Sequence, residues 1–354
     1  MSDALWNSLV KETKNNMAQA VCDGVMSGDI TEYIDSGSYA LNALISGDIY
    51  KGYPVGKVTA LAGEEASGKS FAVLTGTKNF LEAHPDSACF YFESEGAITK
   101  EDIESRGIDS KRIFIIPVAT VEDFRTQAVR ILDKYIEAKK ESRPRMLFVL
   151  DSLGMLSTNK EVKDTTEGKD VKDMTRTQLI KGAFRILTLK LAQAKVPMIL
   201  TNHVYAVFDM YSPSEIGGGS GVKYAASTIV ILNKRKEKED GQLVGLNIRA
   251  NLYKSRLTKT GAEVSVLIRH DTGLQRYYGL VDIAEKCGVF KKDSTRLVLP
   301  DGRKVFGTQI NRDPEKYFTK EILDLINEKM KPLFCYGAGE ADTDEAQPEE
   351  TTNE

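Results

Sequence analysis

Eight consecutive residues, Gly63, Glu64, Glu65, Ala66, Ser67, Gly68, Lys69 and Ser70, satisfy the pattern Gly-x-x-x-x-Gly-Lys-Ser/Thr. The glycines let backbone N–H groups curl around the phosphates of a nucleotide, Lys69 reaches the outer phosphates, and the Ser70 hydroxyl is placed to coordinate magnesium. A helix must follow at once so that its positive end faces the anion, and Phe71 opens a stretch to residue 80 that can form one. The motif reads as a site for a nucleoside triphosphate with its metal. Two acids extend the chemistry. Asp151 directly follows the apolar run Met-Leu-Phe-Val-Leu, where such a site holds magnesium through water or through Ser70; the alternative is an Asp that caps the next helix. Glu95 follows Cys-Phe-Tyr-Phe-Glu-Ser, and a carboxylate at that strand end can orient and activate the water that attacks the terminal phosphate. Glu93 is its rival, because two residues along a strand put both on one face, and periodicity does not separate them.

These residues need a scaffold, and the apolar pattern supplies one. Val58, Ala60 and Ala62 alternate with Thr59 and Leu61 in a buried strand before the phosphate loop. Further core strands are expected at residues 88–92, 113–118, 146–150, 198–201 and 228–232, with helices at 71–83, 121–139 and 174–194 between several of them. Strands separated by helices of that length make an α/β fold, a mostly parallel sheet with helices on both faces. Residues 244–253 and 262–269 read as a terminal antiparallel pair joined across Lys-Thr-Gly. Ahead of the core, residues 1–29 read as a small helical arm, with Leu5, Leu9, Val10, Met17, Val21 and Met26 loosely on one face; it packs on its own core or on a neighbouring subunit. The core itself is expected to span 30–278. A small α+β C-terminal domain follows at 279–336, its last helix carrying Ile322, Leu323, Leu325, Ile326 and Met330 as one stripe.

Composition agrees. At 354 residues, 41% hydrophobic and 28% charged, the chain can bury one large core of ordinary soluble type. No stretch approaches the roughly 20 apolar residues of a membrane span, and the start lacks a signal-peptide pattern. Cys22, Cys89, Cys287 and Cys335 form no Cys-x-x-Cys pair, and the three histidines are dispersed, so free thiols in a reducing cytoplasm are expected rather than disulfides or zinc. Residues 337–354 hold seven acids and no Lys or Arg; taking those seven from the formal charge of −3 leaves +4 for the body. That tail is too acidic and too poor in apolar residues to fold, and is expected to be disordered. It serves as a solubilising end, or on a DNA-binding body competes for the basic groove or recruits a basic partner.

Asp-Ser-Gly-Ser-Tyr-Ala-Leu-Asn-Ala-Leu at 35–44, the phosphate loop, Phe-Glu-Ser-Glu at 92–95, Leu-Asp-Ser-Leu-Gly at 150–154 and Asn-His at 202–203 stand in unbroken order. Together they resemble the successive motifs of RecA-type recombinases. The likeness runs over about residues 30–335, and Asp-Met-Thr-Arg at 173–176 with Asn-His agrees with the UvsX branch of tailed bacteriophages. The resemblance implies a RecA-like ATPase core that binds ATP and Mg2+, with Glu95 rather than Glu93 as catalytic base. It places Asn202 and His203 at the strand end that senses the terminal phosphate, with His203 standing where bacterial relatives usually have Gln. It also implies that Lys254 and Arg256 reach across to the ATP of a neighbouring subunit; read alone, Lys-x-Arg on a strand is equally a surface salt-bridge pair. Where the family places a Tyr over the adenine, this chain reads Thr-Lys-Glu-Asp at 99–102, so no aromatic is supplied there.

The same resemblance gives two DNA loops. Residues 204–219 match the second, with little in Ser-Pro-Ser-Glu-Ile-Gly-Gly-Gly-Ser-Gly to pack; Gly217, Gly218 and Gly219 would lie along the strand, and Tyr205, Phe208 and Tyr211 would stack on bases or anchor the loop. The first falls near 159–172, a solvated loop by composition, with Lys160, Lys163, Lys169 and Lys172. Arg176, Lys181 and Arg185 on the next helix would complete a groove that tracks the DNA backbone without sequence preference and weakens with salt. The function implied is a DNA-dependent ATPase that forms homo-oligomeric helical filaments on single-stranded DNA and pairs it with homologous duplex, assisted by a single-stranded-DNA-binding protein and a recombination mediator. The alternative is a hexameric RecA-fold DNA helicase, against which the short arm and small C-terminal domain weigh; a non-hydrolysing paralogue is opposed by intact Lys69, Ser70, Glu95 and Asp151. A cytoplasmic protein, in the host if a phage encodes it, follows.

Overall fold

A computed structural model describes residues 2–15, 17–25, 28–139, 142–169, 173–205, 215–216, 220–239 and 242–337. The N-terminal half comprises α1 (Ser2–Glu12), β1 (Tyr33–Ile34), α2 (Tyr39–Ser46), β2 (Tyr53–Pro54), β3 (Val58–Gly63), α3 (Lys69–Ala83), β4 (Ala88–Glu93), α4 (Lys100–Ser105), β5 (Ile113–Pro117), α5 (Val121–Glu137) and β6 (Met146–Asp151). There follow α6 (Asn159–Thr166), α7 (Arg176–Ala194), β7 (Met198–Tyr205), β8 (Glu215–Ile216), α8 (Ser220–Ala225), β9 (Thr228–Glu239), β10 (Gln242–Ser255), β11 (Glu263–Arg269) and β12 (Gly273–Leu274). Beyond them lie α9 (Leu280–Lys286), a small sheet of β13 (Lys291–Asp293), β14 (Arg296–Val298) and β15 (Lys304–Val305), and α10 (Gly307–Arg312), α11 (Pro314–Tyr317), α12 (Lys320–Lys329) and α13 (Lys331–Phe334).

The main sheet has the order β12-β11-β10-β9-β3-β7-β6-β4-β5, with β8 paired to β7. From β9 to β5 neighbours are parallel; β9 to β12 are antiparallel. Alternation assigns its two faces. Leu61, Leu147 and Val149 enter one hydrophobic cluster with Val73, Leu74 and Phe80 of α3, whereas Val58, Ala60, Phe148 and Leu150 enter another with Phe124 and Leu132 of α5 and Phe184 and Leu187 of α7. The expected parallel sheet covered on both faces is what the chain forms. The segment after Gly279 is not walled off: Phe290, Ile322, Ile326 and Met330 belong to the same cluster as α3 and β11.

Three local readings differ. Among the described residues the arm is α-helical over Ser2–Glu12 and then has one 3-10 turn at Val21–Asp23, because Lys14 turns left-handed (φ 49°) and Asn15 Oδ1 accepts the Met17 N–H in place of the next helical bond. Leu5, Trp6, Leu9 and Val10 on that helix are exposed, so the arm does not pack on its own core; Met26 lies outside the described residues. Residues 159–166, expected as a loop, are α6: Thr158 and Glu161 form a capping box, and neither Gly nor Pro intervenes before Gly168. The terminal antiparallel region is larger than the pair read from sequence, since β9 runs to Glu239 and pairs with β10 as a long hairpin. Among the described residues no helix is long and apolar enough to cross a membrane.

Candidate active site

The functional side chains gather where β3, β4, β6 and β7 end together, the carboxyl edge at which open parallel sheets take ligands. Gly68 caps α3 in the left-handed region (φ 84°), and a Cβ there would meet Ile268 and Ile248 Cδ1 at 2.7 and 2.8 Å; only glycine lets the loop close onto β10 and β11. Lys69 is 7% exposed and its ammonium donates to the carbonyls of Gly63 (3.0 Å) and Glu64 (2.6 Å), which sets it inside the curl of the loop. Burial pushes its pKa below the usual lysine value, while Asp151 and Glu95 pull it back up. Lys234, from β9, donates to the Glu65 carbonyl on the loop's outer side. Glu64, Glu65, Ala66 and Ser70 are exposed along the rim, Ser67 is buried beneath it, and Phe71 begins the next turn of α3.

Glu93 and Glu95 separate cleanly. Strand β4 ends at Glu93, so the two do not share a strand face. The Glu93 carboxylate turns back to accept backbone N–H groups of Glu95 (3.0 Å), Gly96 (2.7 Å) and Ala97 (3.1 Å), closing the turn. Glu95, beyond that turn, accepts the Ser152 hydroxyl at 2.6 Å and stands 3.3 Å from His203 Nε2. Ser94 ties the two strand ends: its N–H donates to the Asp151 carbonyl at 2.9 Å and its hydroxyl accepts the Ser152 N–H at 2.8 Å. Glu93 builds the turn and Glu95 faces the site.

Asp151 accepts the Tyr91 hydroxyl at 2.6 Å and the Thr201 hydroxyl, one on each carboxylate oxygen. Burial and the adjacent Asp151 raise the Tyr91 phenol well above its usual range, so it remains a donor. Both Asp151 and the Ser70 hydroxyl are hard oxygen donors, the chemistry magnesium takes; with its oxygens already bonded, Asp151 fits the metal through intervening water. His203 and Asn202 close the far side, the Asn202 side-chain oxygen accepting the His203 N–H at 3.0 Å. A Cβ on Gly154 would meet His203 Cδ2 at 2.8 Å, so the glycine of Leu-Asp-Ser-Leu-Gly admits the histidine. Sequence reasoning passed over Tyr91, Thr201, Ser152 and Lys234; alternation along the strands marks the first two as facing Asp151, but nothing local marks Ser152 or Lys234.

Lys254 and Arg256 lie elsewhere. Ile229, partner of Lys254, is level with Ala60, and the Arg256 N–H donates to the Ser227 carbonyl beside Val58, whereas Gly63 is level with Leu232. About five residues of strand, roughly 16 Å, separate Arg256 from its own phosphate loop. A bulge at Tyr253 re-aims the strand. Lys254 then donates to the carbonyls of Lys223 and Ala226, and Arg256 to that of Tyr224, all at the end of α8. Burial and then Arg256 lower the Lys254 pKa. Lys181 and Arg185 line a cavity of about 630 Å³ with Arg256, Lys57 and Tyr224, so they join the cation edge rather than α6.

The residues assigned to DNA divide. Lys160 pairs with Asp173 at 3.7 Å, and Lys163 and Lys169 with Glu167 at 3.9 and 2.6 Å, all on exposed ammonium groups. The hydroxyls of Thr175 and Thr158 lower the Asp173 carboxyl to about 2. Arg176 is spent on the backbone, donating to the carbonyls of Leu156 (2.8 Å), Gly154 (2.9 Å) and Leu153 (3.2 Å), where it braces the segment after Asp151. Lys172, Phe208, Tyr211, Gly217, Gly218, Gly219 and the side chain of Tyr205 lie outside the described residues, as does the acidic tail from residue 338.

Comparison with known proteins gives the family. Residues 16–275 match the RecA N-terminal domain. A "Recombination and repair protein" of Enterobacteria phage T4 is 34% identical over 252 residues, covering 71% of this chain and 63% of that protein. "Protein RecA" of a Nocardioides species is 25% identical over 308 residues (86% of this chain, 82% of the relative), and that of Streptomyces rimosus 25% over 315 (88% and 78%). With its phosphate loop, paired strand-end acids and Asn-His strand on a matching core, the chain belongs to the RecA family.

Proposed function

We propose that this chain is a DNA-dependent ATPase of the strand-exchange type, whose ATP is held between adjacent copies and locks them into a helical filament on single-stranded DNA. The observation that carries the reading is the offset between the phosphate loop and the cations, about 10 Å along the strands for Lys254 and about 16 Å for Arg256: one molecule holds the loop, base and metal donors of one site and the cations of another. A second copy bringing that edge to the loop completes the site, as the exposed apolar face of α1 also favours. Lys69 and the loop amides bind the triphosphate; Glu95, aligned by Ser152, takes a proton from the attacking water; Lys254 and Arg256 of the adjacent copy stabilise charge on the transferring phosphoryl. Magnesium, when bound near Ser70 and Asp151, neutralises charge on the phosphates. His203, in contact with Glu95 and leading directly into residues 204–219, transmits occupancy of the site to that DNA-binding segment. The bound strand then finds a homologous duplex by base pairing.

Hydrolysis should rise steeply with protein concentration and with added single-stranded DNA, and negative-stain images with ATP and DNA should show helical filaments. Closed six-membered rings would instead indicate a translocating helicase. Full-speed hydrolysis by an isolated monomer, indifferent to DNA, would overturn the proposal.

A further inference from the structure

A cavity of about 610 Å³ runs along α3 from Phe71 to Glu82, with further walls from Arg106 at the end of α4 and from His270 and Thr272 in the turn after β11. Of the four described cavities it alone has a wall residue from the phosphate loop or the helical residues immediately after it. Phosphates bound at residues 63–70 end at the start of α3, so the nucleoside leaves the loop past Phe71, into this space. There the Arg106 guanidinium carbon sits 4.5 Å from the centroid of the Phe71 ring. Its Nε is buried and has no hydrogen-bond partner among the described residues. A buried donor without an acceptor is rare, and a ligand that brings one resolves it. Asp102, one turn earlier on α4, is occupied by its own cap, accepting the Thr99 N–H and hydroxyl.

We propose that Arg106 is the platform on which the base of the bound nucleotide stacks, and that it makes the site one for purines. The inference rests on the nucleotide reading above and deepens it. A guanidinium is planar and stacks on an aromatic ring as an ammonium does not, and that of Arg106 both contacts the Phe71 ring and belongs to the residue that lines the cavity. The Nε proton lies in the guanidinium plane, so it is met by an acceptor beside the stacked base, a ribose oxygen. A bicyclic base covers more of the plane than a monocyclic one, which gives purine over pyrimidine without a base-specific hydrogen bond.

The test measures binding of ATP, CTP and inorganic tripolyphosphate, each with magnesium, to the full-length chain by calorimetry. Wild type should bind ATP more tightly than CTP or tripolyphosphate. Arg106→Ala should lose about tenfold in ATP affinity and leave tripolyphosphate unchanged; Arg106→Lys, which keeps the charge but not the plane, should not restore it, and Arg106→Tyr, which keeps the plane but not the charge, should. The platform is overturned if Arg106→Ala binds ATP within twofold of wild type, if tripolyphosphate affinity falls in parallel, or if Arg106→Lys restores binding. Equal affinity of wild type for tripolyphosphate and ATP would also sink it while leaving the phosphate site standing. Failure of wild type to bind either would remove the nucleotide reading and the platform together.

Discussion

At the carboxyl ends of β3, β4, β6 and β7 the polar side chains are tied to one another, Tyr91 and Thr201 to Asp151, Ser152 and His203 to Glu95. At the far end of β10, Lys254 and Arg256 are tied instead to backbone carbonyls at the end of α8. The two lysines at these ends show the difference. Burial lowers the pKa of both, but Lys69 has Asp151 and Glu95 to offset it, whereas Lys254 has only the further repulsion of Arg256. A buried cation beside a second cation gains most from an arriving anion. The first end is preorganised by its own side chains; the second sets two cations side by side, braced by backbone carbonyls.

The largest effects should come from breaking each end and then mixing the pieces. Lys69→Ala removes the cation at the outer phosphates and should abolish ATP-dependent assembly and turnover, a loss of ~10³ or more in an ATPase assay. Lys254→Ala with Arg256→Ala should cost a comparable factor while leaving ATP binding to the single chain in place. If one site draws on both ends, an equimolar mixture of the double cation variant with Glu95→Gln, which should still assemble, should recover about a quarter of wild-type turnover, since random assembly pairs an intact base with an intact cation edge at roughly one contact in four. No recovery, with mixed assembly verified, would place the two ends in separate roles.

Next in size is the contrast between the carboxylates. Glu95→Gln should permit assembly and reduce turnover by ~10²–10³. Glu93→Gln should act on folding, because its carboxylate closes a turn with three backbone N–H groups; a loss of about 2–4 kcal/mol in denaturant stability is expected. Normal hydrolysis by Glu95→Gln would move the base to Glu93.

This pair also shows where the sequence was legible and where it was not. The strands and covering helices could be read because alternation at Val58 to Ala62 and Met146 to Leu150 records which face each residue buries. The phosphate loop could be read because its geometry is local. Glu93 and Glu95 could not be separated by period, because the strand stops at Glu93, and a strand's end is set by where its partners stop. Helix α6 was within reach: Thr158 and Glu161 stand at capping-box spacing. The bracing role of Arg176 and the bulge at Tyr253 were not, since each depends on segments about 20 residues away or more.

A smaller effect separates the two ends by pH. The buried Lys254 ammonium loses its proton below the ordinary 10.5 of a lysine, so its charge declines as pH rises through the lowered value. Turnover should fall along that alkaline limb. Lys254→Arg keeps a charge there and should flatten the limb relative to its own neutral rate. Stability moves in the opposite sense: between the lowered native value and 10.5 the unfolded chain binds more protons, so wild type gains stability with pH in that window, and the arginine variant should not.

The smallest effect tests whether α6 belongs with either end. Lys163 is exposed and its pairing with Glu167, at 3.9 Å across one helical turn, is worth little, so Lys163→Ala should change stability by less than about 0.5 kcal/mol. Its value lies in the salt dependence of binding to single-stranded DNA. Each phosphate neutralised contributes about 0.7 to the slope of log affinity against log salt, so a lysine that grips the strand should lower the slope by about that amount when removed. Lys160 is the stricter comparison, because its partner Asp173 is itself held by Thr158 and Thr175, and loss of the lysine leaves that network intact. If both variants lower the slope, α6 lines the DNA path near the phosphate end. If neither does, its lysines only solvate the helix, and the path runs along Lys181 and Arg185 at the cation edge.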